Sequence, residues 1–164
     1  MGYFNPLLQW GCESFCNEAA KVGVDGLIVV DLPPEEALEL HRPARKAGIS
    51  LIYLLTPTSD GERIKRVAKL ASGFTYYVSI TGITGASLSG IDAVEKQIRL
   101  IQKNIPLPVC VGFGIRTPDQ ARKVAQVADG VVVGTSLVSL LEKGKARGAK
   151  EVVHQVRQLK RAIL

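Results

Sequence analysis

Three glycine-bearing stretches in the second half of the chain have the make-up of anion-binding turns: Ile83-Thr84-Gly85, Gly112-Phe113-Gly114 and Gly134-Thr135-Ser136. Each follows a short apolar run. Glycine lets backbone N–H groups approach an anion closely, and a helix that starts there adds the positive end of its dipole. In β/α barrels a phosphate site is commonly built from the loops after the last two strands and a short extra helix. One such turn reads as a tight connection and no more. Three at the ends of consecutive strands point to a bound phosphate group.

The inventory for acid–base or covalent chemistry is thin, and no residue of the chain is assigned a catalytic role. His41 and His154 both fall in helical patterns, away from strand ends. Asp31 ends an apolar run and Asp60 lies in a turn, where carboxylates ordinarily serve as turn and cap residues. Tyr76 and Tyr77 are adjacent, so only one of them can face a barrel interior. No lysine lies inside a strand pattern, which argues against Schiff-base chemistry. Cys12 and Cys16 share a helix face, Cys110 sits in an apolar run, and no histidine is close enough to suggest zinc. The three read as buried, inert thiols. Neither metal nor cofactor is expected.

The elements that must position these groups alternate. Strand patterns cover Gly26–Val30, Leu51–Leu54, Phe74–Val78, Val109–Val111 and Gly130–Val133, continuous rather than alternating, as in strands buried on both faces of a parallel sheet. Helical patterns cover Leu7–Val22, Pro34–Ala47, Gly61–Leu70, Ile91–Asn104 and Thr117–Val127, with a short helix near Ser136–Glu142 and a last one near Ala149–Ala162. Thr117-Pro118 is a helix entry, and Gly48 a helix end. A helix followed by five β-α units implies a parallel sheet with right-handed crossovers. Asp25-Gly26 and Asp129-Gly130 both stand before apolar strands, and such repetition fits a barrel.

The chain has 164 residues, 46% hydrophobic and 22% charged, which excludes disordered, collagenous and disulfide-scaffold classes. The odd count of three cysteines favours a reducing cytoplasm. No apolar run is long enough to span a membrane, and Met1 to Trp10 lacks the make-up of a signal peptide. The net charge is +6, and all of the excess falls in residues 143–164, where Lys143, Lys145, Arg147, Lys150, Arg157, Lys160 and Arg161 stand against Glu151 alone. Val152, Val156, Leu159 and Ile163 form one apolar stripe there, so the segment reads as a surface helix with a solvated basic face. No aromatic residues accompany the charge as single-stranded nucleic-acid platforms require, so neither nucleic acid nor membrane is expected as a partner.

Five motifs, in order from end to end, carry a family resemblance: Met1-Gly2-Tyr3-Phe4-Asn5-Pro6; Val24-Asp25-Gly26 through Asp31-Leu32-Pro33; Tyr76 to Ser79 with Gly82-Ile83-Thr84-Gly85; Val111 to Ile115; and Asp129 to Gly134. Together they resemble the tryptophan synthase alpha chain. The resemblance implies an α/β fold of the TIM-barrel (β/α)8 type, present from roughly strand 3 to strand 8 as a single, incomplete barrel domain over residues 1–164. Met1–Tyr3 would be the end of the third strand. The implied activity is cleavage of indole-3-glycerol phosphate to indole and glyceraldehyde 3-phosphate, with indole passed to a beta chain. The family's catalytic Glu and Asp belong to the stretch before the matched part, so the chain is expected to be inactive alone. Gly85, Gly112, Phe113, Gly114, Gly134 and Thr135 carry over as phosphate-end residues. Tyr76 and Thr84 match substrate-contacting positions, and Ile28 an apolar contact to the indole. Tyr3, Asn5, Asp31 and Pro33 match the side that meets the beta chain. Open barrel edges imply self-association. The alternative reading is a non-catalytic phosphate-binding or interaction module, or a truncated gene fragment.

Overall fold

The computed structural model describes residues 1–79, 88–112, 114–142 and 144–164, with the backbone alone for 88–92, 145 and 146. It divides into two compact units, Met1–Tyr76 with Ile101–Pro108, and Tyr77–Leu100 with Val109–Leu164.

In the first unit the expected helix Leu7–Val22 is two helices, α1 (Phe4–Trp10) and α2 (Cys12–Lys21). Gly11 separates them at φ 92, a conformation that ends one helix and starts the next. Helix α2 buries Cys12, Cys16 and Ala19, spaced as one stripe, and packs on α3 (Leu38–Lys46). Helix α3 begins later than expected from Pro34, because residues 34–37 form a turn in which Glu36 N–H donates to Pro33 O at 3.1 Å. Gly48 ends it at φ 73, as expected, with Ile49 N–H donating to Ala44 O at 2.9 Å. Strand β1 (Gly26–Ile28) pairs in parallel with β2 (Ser50–Ile52). The expected stub at Met1–Tyr3 is one parallel bridge, Gly2 to Val29. The single strand expected over Leu51–Leu54 is interrupted at Tyr53 and resumes as β3 (Leu54–Leu55). Helix α4 (Gly61–Leu70) matches its expected bounds and fully buries Ile64 and Val67. Strand β4 (Thr75–Val78) crosses the division between the units at Tyr76–Tyr77.

Helix α5 (Leu88–Asn104) crosses the division at Leu100–Ile101. In the second unit β5 (Val109–Gly112) pairs in parallel with β6 (Gly130–Val132). Between them α6 (Pro118–Ala125) opens with a full capping box: Thr117 Oγ1 accepts from Gln120 N at 3.3 Å and Gln120 Oε1 accepts from Thr117 N at 3.2 Å. Helices α7 (Thr135–Leu141) and α8 (Lys145–Ile163) pack together. Gly148 is buried at that contact; a Cβ there would lie 2.7 Å from Leu140 O and 2.8 Å from Leu141 Cα. The sequence reading started α8 at Ala149 and missed it. The expected stripe on α8 is also turned. Leu159 is buried, but Val156 and Ile163 are exposed, because the packed column runs through Gly148, Gln155 and Leu159. Among the described residues no helix is long and apolar enough to cross a membrane.

The two Asp-Gly pairs have one physical origin. A Cβ on Gly26 would lie 2.7 Å from Ile52 Cδ1 and 3.2 Å from Ser50 O, and one on Gly130 would lie 2.7 Å from Cys110 Sγ. Each glycine lets a strand start close against its neighbour.

Candidate functional site

The second unit gathers glycine turns at its strand ends. Gly112 closes β5, and its carbonyl accepts from Ser79 N at 3.1 Å. Gly114 stands at φ 78, the left-handed region where glycine is favoured. A Cβ there meets no described atom within 4 Å. The turn therefore needs glycine for its backbone angle and not, as crowding would have it, for space. After β6, Gly134 caps α7, and its carbonyl accepts from Leu137 N at 2.8 Å and Val138 N at 3.1 Å. The N–H groups of Thr135 and Ser136 precede that first bonded turn and stand outside the helix ladder. Ser136 Oγ donates to Ile115 O at 3.4 Å, which ties the start of α7 to the turn after β5. Two of the three expected turns are thus fastened to each other. The third, with Thr84 and Gly85, lies outside the described residues, as does Phe113.

The first unit ends its strands with side chains. Asp31 Oδ1 accepts from Phe4 N at 2.8 Å. That bond supplies the cap that Tyr3, the residue before α1, does not make with its own side chain. Gly2 N–H donates to Ile28 O at 2.9 Å and Val30 N–H to Gly2 O at 3.0 Å. Tyr3, Asn5, Asp31 and Pro33 therefore belong to one fastened block, with half-buried Ile28 at its root. A cavity of about 170 Å³ is lined by Val29, Val30, Asp31, Leu32, Pro33, Tyr53, Leu54 and Arg63. Tyr53 is buried, and its hydroxyl has no hydrogen-bond partner among the described residues. Burial pushes its phenol up to about 12, so it stays a neutral donor near neutral pH. The sequence reading passed over Tyr53; a polar-tipped residue inside an apolar run was the available signal.

Tyr76 and Tyr77 are both buried, and burial raises both phenols above their ordinary value. Asp60 is the N-cap of α4, its Oδ1 accepting from Arg63 N at 2.8 Å. His41 lies in α3, and His154 lies in α8 with its Nε2 at 2.9 Å from Gln158 Nε2. Cys12 and Cys16 are buried and Cys110 half-buried; burial raises all three thiols, helped at Cys110 by the Asp129 carboxylate. Among the described residues no cluster of three or more His, Cys, Asp or Glu could hold a metal ion.

Parallel strands alternating with helices, with glycine turns and a short helix at the strand ends, are the build of the β/α-barrel class. The model of the family "Tryptophan synthase alpha chain" matches residues 1–163, and the chain belongs to that family. A tryptophan synthase alpha chain from Geotalea uraniireducens (strain Rf4) is 52% identical over 151 residues, 92% of this chain and 57% of that protein. The one from Geobacter sulfurreducens is 52% identical over 165 residues, 99% of this chain and 62% of that protein. The crystal structure of tryptophan synthase subunit alpha from Legionella pneumophila str. Paris superposes with a TM-score of 0.86 at 36% identity, covering 99% of this chain and 61% of that one. The fold is thus that of the alpha-subunit TIM barrel, and this chain spans less than two thirds of the length of these relatives.

Proposed function

We propose that the chain is the phosphate-gripping and partner-facing part of a tryptophan synthase alpha subunit. Its substrate is indole-3-glycerol phosphate, cleaved to indole and glyceraldehyde 3-phosphate, and its partner is a beta chain. The observation that carries this is the Ser136–Ile115 bond, which fastens the turn after β5 to the first turn of α7. The N–H groups of Gly114, Thr135 and Ser136 then supply donors for the phosphate, joined by Gly85, Gly112, Phe113 and Gly134. Tyr76 and Thr84 contact the substrate, and Ile28 makes an apolar contact to the indole. Tyr3, Asn5, Asp31 and Pro33 face the beta chain. Holding the phosphate orients the bond between the indole ring carbon and the glycerol chain for cleavage. Breaking it needs a proton placed on the indole ring carbon and another taken from the glycerol hydroxyl, which is work for a general acid and a general base.

Gly114→Val tests the grip. A β-branched residue resists φ 78, so the turn must open. Calorimetry with glycerol 3-phosphate is expected to show affinity weakened at least tenfold. Unchanged binding would put the phosphate elsewhere.

The free thiols support a reducing, cytoplasmic setting. Exposed Met1, Tyr3, Leu8 and Trp10 support self-association of the 164-residue chain through α1, which buries none of its own residues. Light scattering decides that point: a single 17.7 kDa species that stays unchanged at high concentration defeats it.

A further inference from the structure

Helix α8 has a face that packing among the described residues leaves unused. Lys150, His154, Arg157 and Arg161 recur at i, i+4, i+7 and i+11, with Lys160 beside Arg157. At 3.6 residues per turn they fall within about a third of the helix circumference and along about 16 Å of its length. All five are exposed. Among the described residues, Lys150, Arg157, Lys160 and Arg161 enter no ion pair. Glu151, the sole carboxylate of α8, lies outside this arc and is paired with Arg147 at 3.2 Å. Val153 stands inside the arc, 49% exposed. With Ala149, Lys150, His154 and Arg157 it lines a shallow groove of about 470 Å³.

We propose that this face docks an acidic amphipathic helix of a partner protein, with carboxylates along the cation row and one apolar side chain over Val153. The proposal stands apart from the lyase reading. Charge selects the partner's sign, and the two arginines one turn apart can each take a carboxylate in the bidentate geometry that ammonium groups cannot match. The exposed valine among the cations argues against a phosphate backbone, which has no use for an apolar contact. Missing aromatics argue against stacked bases. Membrane insertion would need a continuous apolar face, and on α8 the column through Leu159 is buried while α6 and α7 pack on the helix.

The probe is a fluorescent 16-residue helical peptide with Glu at i, i+4, i+7 and i+11 and one Leu between them, titrated with the full chain at low salt. Saturable binding below about 1 mM is expected. At about threefold per exposed pair, Lys150→Gln with Arg157→Gln and Arg161→Gln weakens it roughly 30-fold, as does 0.5 M salt. Val153→Ser weakens the Leu peptide and leaves a Leu-to-Ser peptide unaffected. Circular dichroism checks that the variants stay folded, and single Lys150→Glu replaces the triple variant if it does not. The proposal is overturned by absent binding, by an affinity that the charge variants leave within twofold, or by tighter binding of a 20-base-pair duplex or of phosphatidylserine vesicles than of the peptide.

Discussion

The two units begin their strands alike and end them differently. Asp25-Gly26 and Asp129-Gly130 do the same job at the start of β1 and β6, each glycine making room for the neighbouring strand. At the other end the first unit closes with a side chain, Asp31 Oδ1 on Phe4 N, beside a cavity lined mostly by apolar residues. The second closes with glycine turns, a left-handed Gly114 and a Gly134 cap, and one serine hydroxyl on a carbonyl fastens the start of α7 to the turn after β5. A carboxylate spent on a cap is withdrawn from proton transfer, whereas a glycine turn leaves N–H groups to offer. The shared starts are scaffold, and the differing ends carry what is specific to each unit, as strand ends do in β/α barrels.

The largest expected effect would break this comparison outright. If Asp31 and Asp60 are caps, the described strand ends offer no acid–base pair. Each positioned group is worth about 10²–10⁴-fold. Indole release by the pure chain is therefore expected to fall at least 10⁴-fold below that of a full-length alpha chain in the same assay. Release within tenfold of that standard would mean that Asp31, Asp60 or another group does the chemistry.

A smaller effect sharpens it. Asp31→Ala removes the acceptor for Phe4 N and is expected to cost about 1 kcal/mol, in the range of helix-cap deletions. Asp31→Asn keeps an oxygen there and should restore most of that loss. Urea unfolding of the three proteins measures it. Equal loss in both variants would mean that charge, and not the cap, matters at this position.

Much of this was legible in the sequence because it depends on short-range chemistry. The capping box at Thr117, the Gly48 helix end and the bounds of α4 follow from local residue types. The resemblance to the alpha chains was carried by motifs, and the family match bears it out. What the sequence hid depends on neighbours distant along the chain. The break at Gly11 looked like one more helical position, because only φ 92 distinguishes it. Gly148 falls just outside the expected last helix, because Leu140 and Leu141, which pack against it, belong to another helix. The Ser136–Ile115 bond spans 21 residues, so the two glycine turns could be matched to phosphate sites but not joined. Tyr53 shows locally only as a polar tip in an apolar run; that its hydroxyl is buried with no partner among the described residues depends on the tertiary packing.

The smallest expected effect is a pH dependence in the first unit. Glu35 follows the Asp31–Pro33 end, and its carboxylate meets Arg66 at 2.7 Å and Arg63 at 3.7 Å. A hydrogen bond from its own backbone N–H, and then the bond from Arg66, hold the carboxyl below its ordinary 4.5; burial opposes them, and the guanidinium charges of Arg63 and Arg66 each add less than burial removes. A carboxyl depressed in the folded state binds its proton more readily when unfolded. Its contribution to stability is therefore complete above about 4.5 and fades as the pH falls through the depressed folded value. Both partners are well exposed, so the effect is small and screened by salt. Urea midpoints of wild type and Glu35→Gln are expected to differ slightly at neutral pH and to converge as the pH drops toward 3. In 0.5 M salt the gap should narrow at every pH. A gap that stays constant from neutral to acid pH would show that Glu35 fastens this end by shape or by its backbone, leaving Asp31 as the charge that closes it.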